Sequence, residues 1–325
     1  MLDVTTLGEL LIDFTTDGKN ELGYPILSAH PGGGVANFLA AVVKLGGRGA
    51  FYTKVGDDAF GRLLKETMEA AGIDSSGILT DPDAFTTLAF VTLDNQGDRE
   101  FSFSRKPGAD TRLCFEEMDL SLIDRAKAFH IGTLSLTGEP VRTATKKAVA
   151  YAREKGKLIT LDPNLRLPLW SSPAEAKEQM LWALNQADIV KISEEEIQFL
   201  FGLDGEAGAE KLLREFGVKL AFVTLGKAGC LFANERAQGR VPNFDEVKTV
   251  DTTGAGDIFG GTAVYQILRS GIRPEDLNGA ALTKIAAFAC GAASLSTEKY
   301  GGISSIPAPE EVTARTGLRP FGMEI

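Results

Sequence analysis

Apolar positions along the chain follow two periods. Short apolar runs bounded by glycine, Val4 to Leu7 and Ala50 to Val55, read as strands. Val35 to Leu45 and Ala59 to Ala71 carry apolar residues at three- and four-residue spacing and read as helices. Gly46 and Gly72 stand where such helices end, and Asp57 and Asp58 open the second one at its positive end. The alternation resumes with strands at Ala128 to Ile131, Lys157 to Leu161, Ile189 to Ile192 and Leu220 to Thr224. Helices are expected over Pro140 to Glu154 and after Asp257 and Asp276. The pattern predicts an α/β fold, a doubly wound and mostly parallel sheet between helices, with residues 1–325 as one domain.

The pattern breaks at about residues 85–105. There Thr86 to Leu93 and Arg99 to Phe103 flank the turn Asp94-Asn-Gln-Gly-Asp98, which predicts a hairpin. Phe101, Phe103 and Arg105 share one face of its second arm, and Ser102 and Ser104 share the other. A second irregular stretch, about 13–31, offers further strands, so the two segments together predict a small sheet standing off the main one as a lid. An edge hairpin of the main sheet is the alternative.

A chain of 325 residues with 44% apolar content can bury a large core. Its 34 basic and 44 acidic residues give a net charge of −10, which argues against nucleic-acid and anionic-membrane partners. No run of about 18 apolar residues and no basic, then apolar, leader is seen, so a cytoplasmic location is expected. Cys114, Cys230 and Cys290 lack the spacing of a disulfide framework or zinc site and read as buried fillers. With only His30 and His130, a histidine-rich metal centre is excluded.

The strongest local signal is Asp251-Thr-Thr-Gly-Ala-Gly-Asp257, a glycine-rich turn running into a helix. Gly254, Ala255 and Gly256 can aim successive backbone N–H groups at an anion, and the helix dipole assists them. A carboxylate beside a bound phosphate is repelled by it, so Asp257 points to a loop that also takes a proton from an attacking hydroxyl. As a plain N-cap, Asp257 would have a purely structural reason to be there.

The chain resembles the ribokinase-like (PfkB) carbohydrate kinases and, among them, the fructokinases. Pro31-Gly-Gly-Gly-Val-Ala-Asn37 and Asp251 to Gly260 carry the resemblance, with Gly8-Glu-Leu-Leu-Ile-Asp13, Lys54 to Phe60, Asp162 to Trp170 and Val190 to Glu196 in support. It spans essentially the whole chain. It implies ATP-dependent phosphorylation of D-fructose to D-fructose 6-phosphate, with Asp257 as base and Gly254, Ala255 and Gly256 as anion hole. The neighbouring expectation is a 2-keto-3-deoxygluconate kinase; one from another class is a non-catalytic protein on the same fold.

By the same resemblance Asp13, Gly32, Gly33 and Asn37 hold the sugar. Arg105 and Arg166 are the candidate cations, Arg166 at the reacting groups and Arg105 either on substrate or as a solvated lid charge. Lys191, Thr224, Gly226 and Gly229 are assigned to the nucleotide, although Thr224 to Gly229 also suits a plain β-turn. Ser193-Glu-Glu-Glu196 reads as a capping box, and the resemblance adds a water-mediated Mg²⁺ role for Glu196. Asp251 and Thr253, and more weakly Gly301 and Ser305, match a K⁺ site. Cys290 stands where relatives often place an asparagine near adenine. Pairing of two copies through the lid is a further expectation.

Overall fold

The structure, a computed structural model, describes residues 1–93 and 99–322. The predicted turn Asp94 to Asp98 lies outside the described residues. The chain runs β1 (Leu2–Leu7), β2 (Leu11–Lys19), β3 (Pro25–Gly32), α1 (Gly34–Lys44), β4 (Gly49–Gly56), α2 (Ala59–Ala70), β5 (Ile78–Asp81), β6 (Leu88–Leu93) and β7 (Arg99–Ser104). It continues with α3 (Ser121–Asp124), β8 (Ala126–Gly132), α4 (Val141–Glu154), β9 (Leu158–Asp162), α5 (Pro173–Leu184), β10 (Ile189–Ser193), α6 (Glu194–Phe201) and α7 (Gly205–Phe216). Last come β11 (Leu220–Thr224), β12 (Cys230–Asn234), β13 (Gln238–Val241), α8 (Ala255–Ser270), α9 (Gly279–Ser296) and α10 (Pro309–Thr316).

Nine strands form the main sheet in the order β13-β12-β11-β10-β9-β8-β1-β4-β5. All pairs are parallel except β11–β12 and β12–β13. Helices cover both faces. One core joins α1, α8 and α9 through Phe38, Leu39, Phe222, Phe259 and Phe288; the other joins α4 and α5 through Phe129, Val149, Met180 and Ile192. Helix α9 is long and apolar enough to cross a membrane by composition, yet 61% of it is buried inside the fold. Cys230 and Cys290 are buried as expected, whereas Cys114 is only partly so.

Strand order reverses at β1, whose neighbours are β8 on one side and β4 on the other. At such a switch point the carboxyl ends of the strands open a crevice. The chain leaves β1 there, and Gly8 to Leu10 carry it into β2 of a separate sheet ordered β3-β2-β6-β7. β2 pairs antiparallel with β3 and parallel with β6, and β6 pairs antiparallel with β7. The hairpin therefore belongs to this small sheet and is not an edge of the main one. The small sheet's first segment, Leu11 to Gly32, runs slightly beyond the expected 13–31, and its second, Leu88 to Ser104, falls within the expected 85–105.

Candidate active site

A cleft of about 530 Å³ lies along the carboxyl ends of β1, β9 and β10, between the small sheet and the start of α8. The loop entering α8 is tied by one side chain. Asp251 Oδ1 accepts from the Thr253 N–H at 2.9 Å and the Thr253 hydroxyl at 2.8 Å, and Oδ2 accepts from the Gly301 N–H at 3.0 Å. Asp251, Thr253 and Gly301 are thus brought together, and the Ser305 hydroxyl donates to Gly302 O nearby at 2.8 Å. Gly254 has φ +78°, and a Cβ there would stand 3.1 Å from Asn37 Nδ2. It is the N-cap of α8, so Asp257 is the third residue of the helix and not its cap. The structural reading of Asp257 as an N-cap is overturned. Ala255 N–H donates to Thr252 O at 3.3 Å.

Asp257 Oδ2 accepts from Asn37 Nδ2 at 2.9 Å. Protein packs closely round the half-buried carboxyl, and desolvation, reinforced by Asp162, pushes it up to about 7 against Lys191, the Asn37 bond and Arg166. Lys191 Nζ lies 3.0 Å from Asp162 Oδ2. A Cβ on Gly256 would come within 2.7 Å of that ammonium, so glycine leaves room for Lys191 beside the first turn of α8. Burial opposes the ammonium, but Asp162, then Glu196 and Asp257, hold it above the ordinary lysine range.

Glu196 sits in the predicted capping box. The Ser193 hydroxyl accepts from Glu196 N–H at 3.2 Å, Glu196 Oε2 accepts from Ser193 N–H at 2.8 Å, and Oε1 accepts from Leu165 N–H at 2.7 Å. Glu196 also lines the cleft, so both of its predicted positions coincide. Burial, then Asp162, raises its carboxyl above the usual range. Among the described residues no group of three or more His, Cys, Asp or Glu could hold a metal directly.

At the other end of the cleft lie Asp13, Gly33, Asn37, Phe103, Leu134, Asn164 and Arg166. Gly32 packs so closely on Asp13 that a Cβ would sit 2.3 Å from Oδ2. Gly33 has φ +119°, where its Cβ would lie 2.4 Å from Glu9 O. Burial pushes Asp13 up to about 7, opposed by Arg166 and reinforced by Asp251 and Glu9. Arg166 Nη1 donates to Leu165 O at 2.9 Å.

One expectation needs correction. Arg105 is not a solvated lid charge, because its side chain is 3% exposed and bridges Asp110 at 2.6 Å. It also donates to Thr137 Oγ1 at 2.8 Å and Leu134 O at 3.0 Å, so its fork is occupied by the protein itself. Thr224 ends β11, and Gly226 and Gly229 lie in the tight turn that leads to β12, outside the described residues that line this cleft. Sequence reasoning assigned no role to Glu9, Asp162 or Asn164. Glu9 Oε1 accepts from Gly34 N–H at 2.7 Å, capping α1 from the β1 end. Asn164, at φ +48°, is the one non-glycine residue in the left-handed region among those described.

The helix start and the ammonium can hold an anion, and the carboxylate of raised basicity beside them can take a proton from a hydroxyl. The model of the pfkB carbohydrate kinase family matches residues 1–309. The chain belongs to this family. It is therefore a phosphotransferase acting on a sugar hydroxyl. Fructokinase-1 of Zea mays is 44% identical over 312 residues, covering 95% of this chain and 96% of that protein. Fructokinase-2 of Solanum lycopersicum is 42% identical over 313 residues, covering 95% and 94%. Among solved structures, the Xylella fastidiosa fructokinase with bound ATP superposes with TM-score 0.88 at 28% identity, covering 98% of this chain and 99% of that one. A Vibrio cholerae fructokinase double mutant, bound to fructose, ADP and potassium ion, gives TM-score 0.86 at 33% identity, covering 97% and 98%.

Proposed function

We propose that this carbohydrate kinase moves the γ-phosphoryl group of ATP to the 6-hydroxyl of D-fructose, giving D-fructose 6-phosphate and ADP. The observation that carries the reading is the Asp257 carboxylate, held by Asn37 within the first turn of α8 and facing the cleft. The sugar binds against Asp13, Gly32, Gly33 and Asn37, the polyphosphate against the α8 start and Lys191. Asp257 takes the proton of the hydroxyl as the new O–P bond forms and the bond to the ADP oxygen breaks. Backbone N–H groups from Gly254 to Gly256 and the Arg166 guanidinium meet the charge that develops. Mg²⁺ suits this site only through water at Glu196, because both of that residue's oxygens already accept backbone N–H groups. The Asp251, Thr253 and Gly301 cluster suits K⁺, with Ser305 behind it.

Fructose is favoured over 2-keto-3-deoxygluconate by the charges around the sugar. Glu9 and Asp13 face that end, and Arg105, the extra cation an acid substrate would want, is committed to Asp110. The small sheet, with Phe103 against the cleft, serves as the lid. Its exposed Tyr24, Ile26 and Leu27 suit pairing of two copies through the lid. A panel of sugars and sugar acids tested for ATP-dependent phosphorylation, with the product position read by NMR, tests the reading. Phosphorylation of fructose at the 6-position supports it; activity on the acid with none on fructose overturns it.

A further inference from the structure

Behind the cleft floor lies a second, much smaller cavity of about 10 Å³, lined by Phe38, His130, Thr160, Asp162, Lys191 and Gly260 among others. That is close to the smallest space that accepts one water. Its polar walls are unevenly satisfied. Thr160 Oγ1 and His130 Nδ1 lie 2.9 Å apart and partner each other. Asp162 Oδ2 accepts from Lys191 at 3.0 Å, whereas Oδ1 is buried with no partner among the described residues. A buried carboxylate oxygen without a donor is costly, and an internal water is the usual remedy.

We propose that Asp162 is a positioning residue for phosphoryl transfer, anchoring the Lys191 ammonium beside the first turn of α8, with one internal water seated on its Oδ1. The inference rests on the kinase reading above. Lys191 reaches the α8 start beside residue 256, which has no Cβ to crowd its ammonium, and Asp162 is the carboxylate that fixes it there. Were Asp162 uncharged, the ammonium would turn to the other carboxylates that face it, Glu196 and Asp257. It would then stand on the base instead of beside the incoming phosphate. Asp162 itself touches neither substrate, since it lies behind the lining of the cleft.

A mutant cycle of Asp162→Asn, Lys191→Met and the double variant tests this, with kcat and both KM values measured on the intact enzyme. Asp162→Asn should lower kcat by roughly tenfold or more while the KM for fructose stays within about twofold. The double variant should be no slower than Lys191→Met alone, within about threefold, because Asp162 acts through the lysine. Independent, multiplying losses, or a kcat for Asp162→Asn within about twofold of the parent, would overturn the proposal. Should Asp162→Asn be unstable with its lysine left unpaired, the double variant, which removes both charges, still decides the comparison with Lys191→Met. A high-resolution crystal structure should show water density at Asp162 Oδ1, and an empty cavity there refutes that part. If the parent enzyme phosphorylates no sugar, the kinase reading fails first and separately.

Discussion

Replacing Asp13 by asparagine should make the protein more stable above neutral pH while weakening its hold on sugar. Burial raises this carboxyl from an ordinary 3.8 to about 7. The folded state therefore binds the proton more tightly than the unfolded one. Stability is complete below about pH 4 and is lost as pH rises through about 7. At roughly 1.4 kcal/mol per tenfold change in acidity, the displacement corresponds to at most about 4 kcal/mol by pH 8. Asparagine keeps the shape and removes the charge, so Asp13→Asn should recover part of that cost, a few degrees of Tm at about 2–4 °C per kcal/mol. Thermal unfolding of parent and variant without ligands, from pH 4 to pH 8, is the assay. The curves should converge near pH 4 and separate toward pH 8 with the variant higher. A variant less stable than the parent at pH 8 would refute the reasoning and show that Asp13 is held by interactions that outweigh its desolvation.

Three further outcomes follow from the geometry. Arg105→Met should lower stability by about 3–5 kcal/mol by leaving Asp110 buried and unpaired; a changed fructose KM at unchanged Tm would instead make Arg105 a substrate contact. Gly256→Ala should keep the fold but displace Lys191 Nζ, which a Cβ would meet at 2.7 Å, and lower kcat by roughly tenfold; parental kcat would contradict the placement of Lys191. At fixed Mg²⁺ and ionic strength, activity should be higher in K⁺ than in tetramethylammonium, and Asp251→Ala should blunt the difference; identical kinetics in the two cations would leave Asp251 as a brace for its loop.

The βα alternation was legible because buried parallel strands and amphipathic helices have distinct periods, and β1, α1, β4 and α2 lie close to their expected bounds. The glycine turn before α8 was legible for the same local reason. What escaped depends on partners distant in sequence. Asp162 gains meaning from Lys191, 29 residues on, and Glu9 from Gly34, 25 residues on. The lid sheet was expected, but the parallel pairing of β2 with β6 has no local signature. Helices α5 and α7 did carry caps, Ser172 before Pro173 and Asp204 with Gly217, that a search for helix boundaries could have found. The start of α8 was misjudged because aspartate is a favoured N-cap, whereas a left-handed glycine three residues earlier opens the helix.

The central claim is that Asp257 is the base of a fructose kinase. It is tested most directly by kcat for Asp257→Asn with ATP and fructose, alongside nucleotide affinity and Tm. Asparagine can still accept the bond from Asn37, which spans 2.9 Å in the parent. Folding and ATP binding should therefore persist while kcat falls by roughly 10²–10⁴. A variant that turns over fructose at near the parental rate would contradict the account.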